Sequence, residues 1–249
     1  STPWYLRLLR DEGQVAERLA MILASSRYAT DLLQREPEGV AILGKDNGLV
    51  PLSREVLEKE MLTGGLRHTD PVDGITVVRA IRRRELFRIA VAELVGLLDV
   101  AEVGLALTDL TAATLEAALA VASAAVEAER RGPLPTRLAV IAMGRFGGHE
   151  LSYGSDADVM FVHEPREGAD AQAAAGAARD VVNELKRLLA LPGVVVEPLV
   201  VGIAPEGGEV EAAGRRAVGG RFIIHHLKRA ANQIAPFGRQ QSRLPKPCR

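Results

Sequence analysis

The chain has 249 residues, of which 47% are hydrophobic and 25% are charged, as in globular proteins with a sizeable core. Its formal net charge of −1 gives no reason to expect a nucleic-acid partner, and its single cysteine, Cys248, excludes a disulfide framework within the chain. No apolar run approaches the ~20 residues of a membrane span, so we predict a cytoplasmic protein without a membrane partner.

The first half of the chain has a helical pattern. Apolar residues recur at every third or fourth position from Tyr5 onward, which predicts a helical domain over residues 1–131. Pro37 and the stretch 48–51 interrupt this pattern and predict breaks between helices. The stretch 111–129 is so rich in alanine and leucine that it predicts one long helix.

Three places in this half have the residues that begin helices. Ser53 is a predicted N-cap, and Pro71 precedes the next long apolar pattern, since proline is favoured in a first helical turn. Asp99 followed by Glu102 predicts a capping box, in which each side chain accepts from the other residue's backbone N–H.

The period of the apolar residues changes after the Pro/Gly linker at 131–135. Residues 138–143 form a short apolar run that predicts a buried strand, and 156–162 predict a second strand. Between them we predict a short helix at 148–153, and after them a helix at 170–191. The chain is therefore predicted to be α+β, with an N-terminal helical bundle followed by an α/β core that contains a small mixed sheet.

Between the two predicted strands, residues 144–158 contain a glycine-rich turn. Glycine lets the backbone approach a phosphate closely and expose its N–H groups, and a helix that begins there adds a favourable dipole. Side chains beside such a turn can add further phosphate contacts. The candidate nucleotide-binding residues are Gly144, Arg145, Gly147, Gly148 and Ser155.

The same segment ends in an Asp-x-Asp pair, Asp156 and Asp158. Side chains two apart on a strand point the same way, so both carboxylates are expected to face the glycine turn. Oxygen ligands attract Mg²⁺, whose remaining positions a nucleoside triphosphate can fill, and a pair of ions would stabilise an in-line displacement. We therefore predict both residues as catalytic metal ligands.

A solvated turn is the simpler interpretation of an isolated Asp-x-Asp, which arises by chance about once in a chain of this length. The full order of strand, glycine turn, short helix, Ser-Asp-x-Asp and apolar strand is much rarer. The combination, and not the pair alone, indicates a nucleotide site.

Residues 142–161 resemble the nucleotidyltransferase signature of the DNA polymerase beta superfamily, and within it that of bacterial glutamine synthetase adenylyltransferases. Residues 25–33 and 82–86 are similar to the helical region that precedes the second catalytic half of that family. The resemblance runs from Ser25 to Gly193, and it identifies the second part of the chain as a nucleotidyltransferase core.

The resemblance implies an activity and its partners. Members of the family have two halves, one that adds AMP to glutamine synthetase and one that removes it, and this chain resembles the opening of the adding half. It would use ATP and Mg²⁺ to adenylylate a tyrosine of glutamine synthetase, with a nitrogen-regulatory protein as a further partner. This reaction regulates nitrogen assimilation.

The sequence departs from the family after Gly193. Family members have a third carboxylate on a later strand, and alignment on 205–207 places Val200 and Gly202 where acids should stand. Nine Lys or Arg and no acidic residue follow Glu211. We therefore predict an incomplete nucleotidyltransferase core at 136–211 and a basic, disordered tail at 212–249, as in a truncated or frame-shifted gene product.

Two other functions stay open. The chain could be a catalytically crippled fragment that binds metal-nucleotide or glutamine synthetase, or a nucleotidyltransferase that acts on a small molecule. The basic tail lacks a recognition module, which disfavours nucleic acid as its partner. The arginine run at 82–84 could dock a partner, although a charge run on a helix is usually its solvated face.

Overall fold

The computed structural model describes residues 4–191, 201–203 and 224–226, and its first part is helical, as predicted. The α-helices of this part are α1 (Trp4–Asp11), α2 (Gly13–Ser25), α3 (Arg27–Arg35), α4 (Asp46–Leu49), α5 (Arg54–Gly65), α6 (Pro71–Leu94) and α7 (Val100–Arg130). A 3₁₀ helix, Pro37–Gly44, lies between α3 and α4. The second part comprises β1 (Thr136–Ala142), α8 (Gly144–Gly148), β2 (Ala157–Pro165), α9 (Ala171–Ala190), β3 (Val201–Ile203) and β4 (Ile224–His226).

The predicted helix starts are confirmed. Pro71 occupies the first turn of α6, and Asp99 and Glu102 form the capping box of α7, each accepting a 2.8 Å hydrogen bond from the other's backbone N–H. Ser53 is the N-cap of α5 by position, although its side chain makes no capping hydrogen bond. The predicted long helix at 111–129 lies within α7.

The short helix predicted at 148–153 is wrong in position. It is α8, which begins at Gly144, directly after β1, and ends where His149 adopts the left-handed conformation with φ 61°. Gly144 itself has φ 53°, a conformation that glycine adopts without a steric penalty, so the chain turns as soon as the strand ends. The glycines therefore form the helix instead of preceding it.

The sheet is small and mixed, which confirms the predicted fold class. Its strand order is β3-β2-β1-β4, with β1 and β2 antiparallel and the two outer strands parallel to their neighbours. Strand β4 falls inside the segment predicted as a tail. The predicted boundary between 211 and 212 lies outside the described residues.

One continuous hydrophobic core joins the helical part to the sheet. Helix α7 is central, because it packs against α5, α6 and α9, and α9 in turn packs against β1 and β2. The length and apolar composition of α7 would also suit a membrane span, but 78% of its apolar stretch is buried by the other elements of the fold. Its apolar residues are thus used in the core.

The arginine run on α6 contacts neighbouring helices, so it is not simply a solvated face. Arg82 donates to Thr111 and Thr114, Arg83 pairs with Glu36, and Arg84 pairs with Glu60. The next residue, Glu85, is fully buried and accepts from the Leu52 backbone N–H and from Arg88. This part of the sequence stabilises the helical bundle.

Arg79 on α6 links the two parts of the fold. Its guanidinium donates to three carbonyl oxygens at the end of α9, those of Leu188, Leu189 and Leu191, at 2.9, 2.5 and 3.0 Å. The last carbonyls of a helix have no partner within the helix, so these bonds satisfy groups that would otherwise need water.

We expect Arg79→Met to lower the free energy of unfolding by about 2 kcal/mol, because methionine keeps the aliphatic stem but cannot donate to these carbonyls. Urea unfolding followed by circular dichroism measures the change. Arg67→Met is the matched control, since Arg67 is exposed in the turn after α5. Equal midpoints for the two variants would contradict a stabilising role for Arg79.

Candidate functional site

The glycine-rich segment connects β1 to β2 by way of α8. The Met143 N–H donates to the Asp158 backbone oxygen at 2.9 Å, which holds the start of α8 beside β2. Phe146 in the middle of α8 is fully buried and anchors the helix in the core. The Arg145 side chain is exposed and Gly148 is half-buried at the surface of the same helix.

Asp156 and Asp158 lie at the start of β2 on the exposed side of the sheet. Asp158 is within the strand and Asp156 immediately precedes it, while Ala157 and Val159 are buried in the core. This alternation puts the two acidic positions on one face, as their spacing predicts. Their role as metal ligands stays a prediction.

Gly144 leaves room for the Asp158 carboxylate. A Cβ atom at Gly144 would lie 2.8 Å from the Asp158 Oδ2 atom, closer than a carbon and an oxygen approach without a clash. The predicted nucleotide-binding glycine and the predicted metal ligand are therefore in direct contact. The carboxylate lies over the first residue of α8.

Gly147 has a packing function that the sequence alone did not reveal. Its added Cβ would lie 2.5 Å from the Ala142 carbonyl oxygen, and its N–H already donates to the Met143 oxygen at 2.8 Å. Gly147 is also buried. Its absent side chain lets α8 cross close to the end of β1, and its predicted part in a phosphate cradle remains untested.

A tight turn, residues 152–155, precedes the acidic pair. The Ser155 N–H donates to the Ser152 oxygen at 3.0 Å, the Ser152 N–H donates to the Ser155 Oγ at 3.0 Å, and the two hydroxyls lie 2.7 Å apart. These bonds fix the direction in which the chain enters β2. The Ser155 side chain, predicted to contact nucleotide, thus also holds this turn.

The acidic pair fits the usual ligand set of a magnesium ion. Mg²⁺ is commonly held by one or two carboxylates together with water and substrate phosphates. Within residues 4–191, 201–203 and 224–226, no group of three or more His, Cys, Asp or Glu side chains is placed to hold a metal ion. Gly202 on β3 lies level with Asp158 on β2, so the strand position beside that carboxylate has no side-chain ligand.

Two features near the site were missed from the sequence. A cleft formed by Tyr28, Glu93 and Tyr153 adjoins the turn at 152–155, and its residues come from distant parts of the chain. Asp109 on α7 is half-buried, and burial raises the pKa of its carboxyl, an effect that the nearby charges of Arg54 and His149 partly oppose. Tyr28 and Tyr153 lie within segments that resemble the family, but no spacing rule brings them together with Glu93, and Asp109 belongs to no motif.

Comparison with known protein families shows to which family the chain belongs. The family of glutamate-ammonia ligase adenylyltransferases matches residues 16–189, which is more than half of the chain and includes the glycine turn and both acidic residues. The chain belongs to this family. The resemblance read from the sequence between Ser25 and Gly193 is thereby confirmed, and the family match begins nine residues earlier, at Ala16.

Curated members of the family are similar over most of this chain. The bifunctional glutamine synthetase adenylyltransferase/adenylyl-removing enzyme of Streptomyces coelicolor is 50% identical over 227 residues, which cover 83% of this chain and 22% of the relative. The enzymes of the same name from Streptomyces avermitilis and Cutibacterium acnes are 49% and 45% identical, over 83% of this chain and 22% and 20% of their own lengths. The chain thus spans about a fifth of the length of the curated relatives it matches.

Proposed function

We propose that this chain is part of an enzyme that transfers AMP from ATP to a tyrosine of glutamine synthetase, with Mg²⁺ held by Asp156 and Asp158. The observation on which this depends is that both acidic residues are exposed at the start of β2 and that Asp158 lies beside the glycine-rich start of α8. The matched family and the printed names of its members support glutamine synthetase as the acceptor.

In this reaction the tyrosine oxygen forms a bond to the α-phosphorus of ATP, the bond to the β-phosphate oxygen breaks, and pyrophosphate leaves. A bound Mg²⁺ would supply positive charge against the phosphates. Asp158, held over Gly144, would fix the position of the ion relative to α8. Arg145, exposed on α8, has a charge suited to the outer phosphate oxygens.

The acceptor must lose a proton, and a tyrosine hydroxyl with a reference pKa near ~10 is a poor nucleophile at neutral pH. In the family the third carboxylate is expected to assist this step. The sequence alignment predicts Gly202 at its position, and Gly202 pairs with Asp158 in the sheet. We therefore propose that this chain binds magnesium and ATP but transfers AMP slowly. The proposed compartment is the cytoplasm, and a nitrogen-regulatory protein is a proposed further partner.

Gly202 also favours one alternative, a fragment that binds metal-nucleotide or glutamine synthetase without transfer. A nucleotidyltransferase that acts on a small molecule has less support, because the curated relatives are named for their action on glutamine synthetase.

Titration of the chain with ATP, with and without Mg²⁺, tests the proposal by calorimetry. We expect Asp156→Asn and Asp158→Asn each to weaken magnesium-dependent ATP binding about tenfold, since each variant removes one charged ligand. Asp180→Asn, an exposed change on α9, is the matched control and should bind as the native chain does. Unchanged binding in both motif variants would refute the metal site.

A second measurement distinguishes an active enzyme from a fragment that binds nucleotide without transferring AMP. The chain is incubated with glutamine synthetase, Mg²⁺ and ATP labelled in the α-phosphate. Label on the synthetase that depends on Asp158 supports transfer. Magnesium-dependent ATP binding with no label on the synthetase supports the binding fragment instead.

A further inference from the structure

A cleft of about 440 Å³ lies beside the turn that precedes Asp156. Its volume is within the range of small-molecule sites in proteins. Its walls come from the start of α3, the end of α6 and the turn at 152–155. The residues that line it include Tyr28, Ala90, Glu93, Leu94, Tyr153 and Gly154.

The chemistry of the cleft suits a flat aromatic ring with an amino group. The rings of Tyr28 and Tyr153 lie with their centroids 5.1 Å apart, and together with Leu94 they give the cleft apolar walls. The Tyr153 hydroxyl donates to the Glu93 Oε2 atom at 2.7 Å. A carboxylate has about four acceptor positions on two oxygens, so Glu93 can accept a further hydrogen bond from a ligand N–H.

The position of the cleft relates it to the acidic pair. Tyr153 and Gly154 are the central residues of the turn closed by Ser152 and Ser155, and Asp156 follows directly. Gly154 and Asp156 are two positions apart, a distance of at most ~7 Å along an extended chain. A ring in the cleft and phosphates at Asp156 could therefore be joined by a single sugar.

We propose that this cleft takes the adenine base of ATP, with the Glu93 carboxylate accepting a hydrogen bond from the exocyclic amino group. This inference rests on the proposed function, because the same nucleotide would place its phosphates at Asp156 and Asp158. Tyr28 and Tyr153 provide the aromatic surface, and the bond from Tyr153 to Glu93 holds the carboxylate in place.

The test uses adenosine and purine riboside, which lacks only the amino group, and both are titrated without magnesium by NMR. We expect the native chain to bind adenosine about fivefold more tightly, the effect of one hydrogen bond. In Glu93→Gln this preference should disappear, because the amide oxygen retains the Tyr153 contact and its NH₂ group opposes the adenine amino group. Glu167→Gln, an exposed change, is the control and should keep the preference.

Photolabelling with 8-azidoadenosine locates the base. Tryptic fragments 28–35, 89–130 and 146–166 contain the cleft residues from Tyr28 to Gly154, and the label is expected on one or more of them. Label confined to other fragments, or a preference for adenosine that survives Glu93→Gln, overturns the proposal.

The two proposals fail separately. If adenosine binds at Glu93 but Mg²⁺ does not increase the affinity for ATP, the metal site is refuted and the base site is not. Magnesium-dependent ATP binding that is lost in Asp158→Asn, with no effect of Glu93→Gln on base preference, would refute the base site alone. The base site would also be refuted if a tyrosine peptide of glutamine synthetase, but not adenosine, prevented photolabelling of the cleft fragments by 8-azidoadenosine.

Discussion

Gly147→Ala is expected to lower the free energy of unfolding by about 3 kcal/mol, the upper part of the range for overpacked cores. The new Cβ would lie 2.5 Å from the carbonyl oxygen of Ala142 and 3.0 Å from its carbonyl carbon. Both are backbone atoms of the buried strand β1, so no side-chain rotation can relieve the clash. Either α8 must move away from the strand or the strand must bend.

The same substitution at Gly176 is the matched control for this prediction. Gly176 lies inside α9, and an added Cβ there would meet no atom within 4 Å. Gly176→Ala should therefore raise the free energy of unfolding by up to ~1 kcal/mol, since alanine restricts the unfolded chain and favours helix. Urea unfolding followed by circular dichroism gives both values, and equal signs for the two variants would contradict the packing explanation.

Displacement of α8 should also affect the acidic pair. Asp158 contacts the start of this helix at Gly144, and its backbone oxygen accepts from Met143. A glycine that the motif predicts as a phosphate contact can thus have another role. It can allow the close backbone packing that positions the Asp158 carboxylate. Gly147 is an example, because its N–H is already used within the turn.

Local signals in the sequence were sufficient for most helices and for the first two strands. Asp99 and Glu102 predicted the capping box because its hydrogen bonds join residues three apart. The change of apolar period after residue 135 predicted β1, because such a pattern can also be recognised within a few consecutive residues. The position of α8 was missed because glycines are compatible with both a turn and a helix, and the sequence does not show that Gly144 adopts a left-handed φ at the end of β1.

Contacts between distant residues could not be predicted in this way. The bond from Tyr153 to Glu93 joins residues 60 positions apart, and the bonds from Arg79 to the end of α9 join residues more than 100 apart. No spacing rule relates such pairs without an alignment or a fold. The acidic pair was predicted from the sequence because its two members are two positions apart at the start of one strand, whereas the cleft is assembled from three separate segments.

Gly202→Asp is expected to increase the affinity of the chain for Mg²⁺ about 30-fold, as attraction of a third carboxylate to the ion exceeds repulsion among the three acids. Strand β3 runs parallel to β2, with Gly202 level with Asp158. Side chains at paired positions of neighbouring strands project from the same face of the sheet. A carboxylate at 202 would therefore join the face that holds Asp156 and Asp158.

Gly202→Asn is the control for this gain, because asparagine has nearly the same size and the same effect on backbone freedom but no charge. Magnesium titration by calorimetry should separate the two variants, and transfer of labelled AMP to glutamine synthetase should increase only in Gly202→Asp. Equal affinities in the two variants would show that position 202 does not adjoin the metal. A gain in affinity without a gain in transfer would mean that the third acid holds the ion but does not help the acceptor tyrosine lose its proton, which would assign that step to another group.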